Sequence, residues 1–290
     1  MDEYDNVIDW LLEDKNHAIA YRTRIELLNE KADKSKVIGW IKKFMPGNWQ
    51  DTKGKWLTLY YTTIAESGLT QSDIKMNKAK IIKHCKENQF ENCGCMDFMR
   101  LRALIMLGFY DELKEHIDYL KSCQLPDCGF LCLQRKEKIN HIPKSCIKAN
   151  NFALLFCAEC KKRKIKTGIE NKLINYFWNH NVFYKSTDLS TLVLGEREGW
   201  RTIDTFHPFE AMRVGLHNII ESFCAMGYGS DKKLIEAWNI LYSKRDNKGK
   251  YILDGTLTKS YLPKESVGKF SKWVTFYALL AEKNKGIKQN

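Results

Sequence analysis

Apolar residues recur every three to four positions along most of the chain, and this spacing is typical of amphipathic helices. The predicted helices span 4–13, 17–29, 35–45, 54–67, 73–87, 97–107, 111–122, 145–160, 168–179, 208–226, 231–243 and 271–283. Pro46 closes the third helix, because proline cannot continue one. With about twelve helices along its length, the chain is predicted to be all-α.

A short phrase repeats where predicted helices end: a glycine, an apolar residue, and then an Asp that starts the next helix. The glycines are Gly68, Gly108 and Gly227, and the acids are Asp73, Asp111 and Asp231. Glycine adopts the left-handed conformation that ends a helix, the apolar residue packs on the last turn, and Asp accepts N–H groups at the next helix start. The glycines are 40 and 119 residues apart, which fits helical hairpins of about 40 residues.

A second motif places a glycine just before an aromatic residue, in a loop that follows a predicted helix. It occurs at Gly54-Lys55-Trp56, Cys128-Gly129-Phe130, Gly199-Trp200 and Gly249-Lys250-Tyr251. Upstream of the second, the form is Leu-x₃-Gln-x₄-Gly-aromatic. This pattern resembles the degenerate Gln-Trp repeat of the α/α-toroid superfamily, which includes squalene and terpenoid cyclases and the β subunits of protein prenyltransferases.

The resemblance covers roughly residues 36–283 and implies one α/α-toroid domain over 1–290, with a helical hairpin at 1–35 packing on the barrel. In that superfamily, outer and inner helices alternate around a central cavity. The implied inner helices begin near Trp56, Cys95, Cys146, Phe209 and Trp273. The alternative is an open solenoid, which is also built from hairpins of about 40 residues.

Composition narrows the class of protein. The chain has 290 residues, 44% of them hydrophobic, but it lacks a run long enough to span a membrane. Its acidic start does not look like a secretion signal, so we expect a cytoplasmic protein whose ten cysteines are reduced thiols. The net charge of +12 comes mostly from single lysines, apart from the run at 161–166, and this scatter disfavours nucleic-acid binding.

Cysteine, histidine and aspartate side chains occur at the predicted inner-helix starts. Thiolate, imidazole and carboxylate are ligands of tetrahedral zinc, and the zinc-dependent prenyltransferases place Asp and Cys near one inner-helix start and a His on another. Cys95, Asp97 and Cys146 are therefore the candidate metal ligands, with His207 nearby in the pattern. The alternative is that these thiols fill gaps between helices.

The most polar stretch surrounds Pro208, which favours the first position of a helix. On a helix over 208–226, Glu210, Arg213 and His217 share one face, and His207 caps the helix. A histidine beside a carboxylate can act as a general acid or base, and an arginine can hold an anion. These four residues are the predicted catalytic set; the alternative is an ion-pair network that supports the fold.

Aromatic residues at inner-helix positions would line a cavity for an apolar or cationic ligand, or else belong to the core. The predicted ligand-binding residues are Trp56, Tyr60, Trp200, Asp204 and Trp273.

The Asp-x-Asp-Asp acid of the alkene-protonating cyclases is missing. The predicted function is therefore that of a divergent prenyltransferase-like or terpenoid-cyclase-like protein that binds or transforms a small, largely apolar molecule, such as an isoprenoid. As an enzyme it would be a transferase or cyclase. The alternative is a non-catalytic helical-repeat scaffold for a peptide or an acidic partner.

Overall fold

The computed structural model describes residues 3–87, 94–131, 144–193, 206, 213–255 and 265–287. These residues form twelve α-helices and one two-stranded hairpin, so the predicted all-α class is confirmed. The helices are α1 (Glu3–Leu12), α2 (His17–Arg22, continued by a π-helical turn over Thr23–Leu27), α3 (Ser35–Phe44), α4 (Lys55–Glu66), α5 (Lys78–Glu87), α6 (Cys95–Leu107), α7 (Lys114–Cys123), α8 (Ile147–Lys162), α9 (Glu170–Asn179), α10 (Leu216–Ala225), α11 (Ile235–Ser243) and α12 (Lys272–Asn284). The strands are β1 (Tyr184–Lys185) and β2 (Asp188–Leu192), which pair antiparallel.

The chain divides into two compact units. Unit 1 comprises Met1–Pro46, Glu66–Leu69 and Leu194–Asn290, and unit 2 comprises Gly47–Ala65 and Thr70–Val193. In unit 1, α12 packs on α10 and on α2; in unit 2, α6 packs on α8, which also contacts α9. A single domain over 1–290, with the hairpin 1–35 on a barrel, stays a prediction.

Helices that are buried all round alternate with helices that bury one face. The helices α4, α6, α8, α10 and α12 are buried along nearly their whole length. The helices between them, α5, α7, α9 and α11, expose one side to solvent. A helix that is apolar on one stripe covers a core, and one buried on every side lies inside it. Helices buried along nearly their whole length begin at four of the five predicted inner-helix starts, near Trp56, Cys95, Cys146 and Trp273.

The predicted glycine ends are confirmed. Gly68, Gly108 and Gly227 have φ of +78°, +95° and +89°. After α6, the Gly108 N–H donates to the Ile105 carbonyl at 3.1 Å, and the next N–H reaches back five residues. The same pair of bonds closes α10 at Gly227, so both helices end in a Schellman motif.

The Gly-aromatic turns at Gly129 and Gly249 form the same loop, whereas Gly54 directly precedes α4. In each, the aromatic N–H donates to a side chain in the following inner helix: Phe130 to Asn150 Oδ1 at 2.9 Å, and Tyr251 to Thr275 Oγ1 at 3.1 Å. The aromatic carbonyl accepts the N–H of the residue that caps that helix, at 2.8 and 2.9 Å respectively. We call this pair of bonds the loop clamp.

The loop clamps belong to a longer internal repeat. A short 3₁₀ turn, an outer helix, a clamp and an inner helix follow one another from Asp111 to Lys162 and again from Lys232 to Asn284. Both inner helices carry an aromatic-Ala-Leu-Leu sequence, at 152–155 and 277–280. Unit 1 and unit 2 are thus built partly from one repeated segment.

Two helices begin later in the structure than the sequence predicts. The helix expected over 73–87 begins at Lys78, because Asp73 instead accepts the Thr70 N–H at 2.8 Å and closes a turn. The helix expected over 208–226 begins at Leu216. The hairpin of β1 and β2 had no predicted counterpart.

Candidate functional site

A cluster of buried ionisable side chains lies at the start of α6, in unit 2. Asp97 is the third residue of this helix, and Gly94 caps it. The Asp97 carboxylate accepts the Gly94 N–H at 3.0 Å through one oxygen, and Arg100 Nη2 at 2.7 Å through the other. Asp97 is 9% exposed and Arg100 is 3% exposed. A predicted metal ligand is therefore the acceptor of a buried ion pair.

Three further side chains complete the cluster from α4 and α5. The Tyr61 ring meets the His84 ring edge to face, with centroids 6.0 Å apart, and Cys85 follows His84 on the buried face of α5. All three are buried, and the charge of Arg100 acts to lower the pKa of each. The set Tyr61, His84, Cys85, Asp97 and Arg100 is called the Asp97 cluster below.

Burial sets the protonation of the Asp97 cluster. It raises the pKa of Asp97 to about 6, although Arg100 and the Gly94 N–H oppose the rise. Burial, and then the charge of Arg100, lower the pKa of His84 to about 4. Burial also raises the pKa of Cys85 to about 11. At neutral pH, His84 and Cys85 are therefore neutral, and Asp97 lies near its titration point.

This arrangement suits proton transfer better than thiol chemistry. A carboxyl group with a pKa near 6 can both give and take a proton close to neutral pH. The Cys85 thiol is held protonated, and only a thiolate is a strong nucleophile. The fixed charge of Arg100 can stabilise an anion formed beside it.

The other predicted ligands do not join Asp97 in a metal site. Cys95 begins α6, and Cys146 caps α8; both are half-buried free thiols. Among the residues that the structure describes, no three His, Cys, Asp or Glu side chains group as a metal ion requires. His207 lies outside these residues, so a zinc site that includes it stays a prediction.

The predicted helical face of Arg213 and His217 is wrong. Residues 213–215 are not helical, and Gly215 caps α10 with an extended backbone. Glycine is costly inside a helix, and here its carbonyl accepts the Asn218 N–H at 3.0 Å as a cap. Arg213 therefore precedes α10, and His217 is its second residue. His207 and Glu210 lie outside the described residues.

His217 lies in an aromatic pocket of unit 1. It is 1% exposed, and its ring centroid is 5.3 Å from that of Phe206 and 6.3 Å from that of Tyr277. Tyr277 in turn donates to Glu66 and accepts from Arg22 at 2.9 Å.

Arg22 is the centre of that unit 1 network. Its Nη1 also donates to Glu66 Oε2 at 3.0 Å, its Nη2 donates to Glu26 at 2.9 Å, and its guanidinium lies 4.6 Å from the centre of the Phe276 ring. Burial lowers the pKa of Arg22, but Glu26, Tyr277 and Glu66 outweigh it, so the pKa lies above its ordinary value. The network ties α2 to α12, and removal of one partner would leave a buried charge uncompensated.

The predicted ligand-binding aromatics are core or near-core residues. In unit 2, Trp56 is half-buried and Tyr60 is buried one turn later on α4, with its ring 5.9 Å from that of Trp49. In unit 1, Trp273 is buried as the second residue of α12. Trp200 and Asp204 lie outside the described residues.

Sequence reasoning did not group Tyr61, His84, Cys85 and Arg100 with Asp97, although a signal was present. Arg100 follows Asp97 by three residues inside a mostly apolar helix, and this spacing indicates a paired buried charge. His84 lies one turn after Ile81 on the apolar face of α5. A histidine on such a face is buried, and burial depresses its pKa.

The cysteines are mostly free, as expected. Seven of those described are free thiols, and Cys85, Cys157, Cys160 and Cys224 are buried. Cys123, at the end of α7, is disulfide-bonded, so the prediction of a reduced thiol is wrong there.

Comparison with known proteins does not indicate a function, so a function is inferred from the geometry of the site. No family model, no curated protein and no solved structure matches the chain. None of the described helices is long and apolar enough to cross a membrane.

Proposed function

We propose that the chain is a cytoplasmic, divergent member of the α/α-toroid group that binds a small, largely apolar molecule of the isoprenoid type and acts on it by proton transfer. Two features support the architecture: the alternation of fully buried and one-face-buried helices, and the repeated loop clamps. The toroid itself is part of the proposal.

The Asp97 cluster carries the proposed chemistry. Asp97 is the acid or base, because its pKa of about 6 lets it exchange a proton near neutral pH. Arg100 stabilises the anion that forms beside it during proton transfer. Tyr61 lies within the same buried cluster, where its hydroxyl group is a hydrogen-bond donor. The surrounding core excludes water, and a reactive carbocation or enol requires that exclusion.

The first test is binding followed by turnover. We expect farnesol or farnesyl diphosphate to raise the Tm of the purified protein, and mass spectrometry to detect a converted product. The D97N variant should still bind and should lose about 100-fold or more of the turnover. The matched control is D111N, which removes an exposed carboxylate at the 3₁₀ turn before α7 and should leave the rate unchanged.

Each outcome has a defined meaning. Turnover that D97N and D111N leave equally intact would contradict the role of Asp97. Binding without turnover in the wild-type protein would favour the non-catalytic alternative, a helical-repeat binding protein. No shift with either probe would overturn the proposed ligand class.

A further inference from the structure

The helix α8 ends in a run of exposed cations that the proposed function does not use. Glu159 binds two of them, Lys162 at 3.2 Å and Arg163 through its other carboxylate oxygen. Lys161, Lys164 and Lys166 are exposed, and no carboxylate among the described residues pairs with them. The local charge is therefore only partly neutralised.

The backbone of Lys164 is strained, because this residue takes the left-handed conformation at the end of α8. Its φ is +59°, in the left-handed region that disfavours residues with a Cβ. The Lys164 N–H donates to the Lys161 carbonyl at 3.0 Å, and the next N–H reaches Cys160 at 2.8 Å. These are the bonds of the Schellman motif, and in α6 and α10 the same position holds glycine.

A lysine at a glycine position carries a conformational cost and supplies a charge. Residues kept in unfavourable backbone regions concentrate at functional sites. Gly108 and Gly227 close their helices with the same two bonds, so these bonds do not require a side chain at this position.

A second element brings another cation to the same place. Gly168, with φ of +73°, is covered by Lys121 of α7: a Cβ built on Gly168 would lie 2.3 Å from Lys121 Cε and 3.2 Å from its Nζ. The Lys121 ammonium thus lies over the loop that follows Lys166, and its exposed ion pair with Asp118, at 3.7 Å, neutralises it only in part. We call Lys121, Lys161, Lys164 and Lys166 the α8 basic patch.

We propose that the α8 basic patch binds an acidic segment of a partner protein. Lysine ammonium groups are hydrated point charges that pair with single carboxylates. Between Glu159 and Lys172, no large apolar side chain is exposed, and the exposed Tyr119 lies two positions from Lys121, on nearly the opposite side of α7. The patch therefore lacks the aromatic platforms that stack nucleic-acid bases and the apolar anchors that enter a lipid surface.

The test measures binding of a fluorescein-labelled peptide of about twelve residues, mostly Glu, by anisotropy at low and high salt. The triple variant K161A/K164G/K166A should weaken binding about tenfold at low salt, and salt should weaken the wild-type complex similarly. The control K31A/K42A/K43A removes three exposed lysines elsewhere and should change the affinity by about twofold or less.

The single variant K164G separates a functional from a structural role. It should raise Tm by about 2 °C, because the backbone strain is relieved, and weaken peptide binding about threefold. Equal losses in the two triple variants would show a mere effect of net charge and overturn the proposal. Tighter binding of single-stranded RNA or of phosphatidylserine vesicles than of the peptide would overturn the choice of partner, and a lower Tm for K164G would overturn the strain argument.

Discussion

Asp97 and His84 titrate in opposite directions, although they share one cluster. Burial raises the pKa of Asp97 from 3.8 to about 6 and lowers that of His84 from 6.5 to about 4. The folded protein therefore holds the Asp97 proton more tightly than the unfolded chain does, and the His84 proton less tightly. As pH rises from 4 to 6, the contribution of Asp97 to the free energy of unfolding decreases and that of His84 increases. The two contributions therefore oppose each other.

The D97N variant should expose the contribution of His84. Without Asp97, the free energy of unfolding should rise between pH 4 and 6.5, whereas in H84Q it should fall between pH 4 and 6. The Asp97 contribution amounts to about 3 kcal/mol across its window, as its pKa shift implies. Urea unfolding at several pH values measures both slopes. Parallel pH profiles for wild-type protein and D97N would show that Asp97 does not titrate in this range.

Thr275 supports the loop clamp through one acceptor atom. The T275V variant should lower the free energy of unfolding by about 1–3 kcal/mol, because the buried Tyr251 N–H loses its partner. T275S keeps the hydroxyl and should cost less. The control is T62V, since Thr62 is also buried but bonds only the Thr58 carbonyl of its own helix, at 2.9 Å. Equal losses in T275V and T62V, by denaturant unfolding, would argue against the clamp.

At the scale of the helix, glycine has opposite roles in α3 and at the end of α6. Gly39 lies inside α3, with open space where a Cβ would be. Gly108 has a positive φ, which a Cβ strains. The same substitution should therefore have opposite effects at the two sites.

The G39A variant should stabilise the protein by about 0.5–1 kcal/mol, because alanine favours the helix. G108A should destabilise it by about 1 kcal/mol or more. Equilibrium unfolding in urea compares them directly. A destabilising G39A would mean that α3 frays or bends in solution, and a neutral G108A would mean that the end of α6 can rearrange.

Helix positions could be predicted from the sequence because apolar spacing and capping residues act locally. The predicted ends at Gly108 and Gly227 are correct for this reason. The start of α10 was not predicted correctly, because Pro208 favours a helix start in the sequence, whereas α10 begins after its cap at Gly215. The Asp97 cluster was only partly predicted, since it joins three helices and its pKa shifts come from burial. The strands β1 and β2 are too short to leave a period in the sequence.

At the scale of the whole molecule, the internal repeat implies exchangeable parts. Replacing the turn at 125–130 by the sequence of 246–251 should lower the free energy of unfolding by about 1–3 kcal/mol, because lysine replaces Gly129, where a Cβ would lie 2.3 Å from Ser145 Oγ and 2.6 Å from Asn150 Nδ2. The exchange puts glycine at the left-handed position of Cys128, which relieves strain, but it removes Asp127, which accepts the Ser145 N–H at 2.9 Å.

The control for this exchange carries valine in place of that glycine. It should cost about 1–2 kcal/mol more, because a β-branched residue resists a positive φ. Thermal and urea unfolding of the two chimeras give the comparison. A chimera that fails to fold even with glycine present would show that the two turns are not equivalent.

The Arg22 network has a consequence for biosynthesis. Arg22 and Tyr277 are 255 residues apart in sequence, so a ribosome releases the arginine long before its partner. At usual elongation rates the interval is on the order of ten to fifty seconds. During that time Arg22 of α2 lacks its partner in α12, and the core that buries it is incomplete. The segment must therefore stay solvated or be bound by a chaperone until α12 emerges.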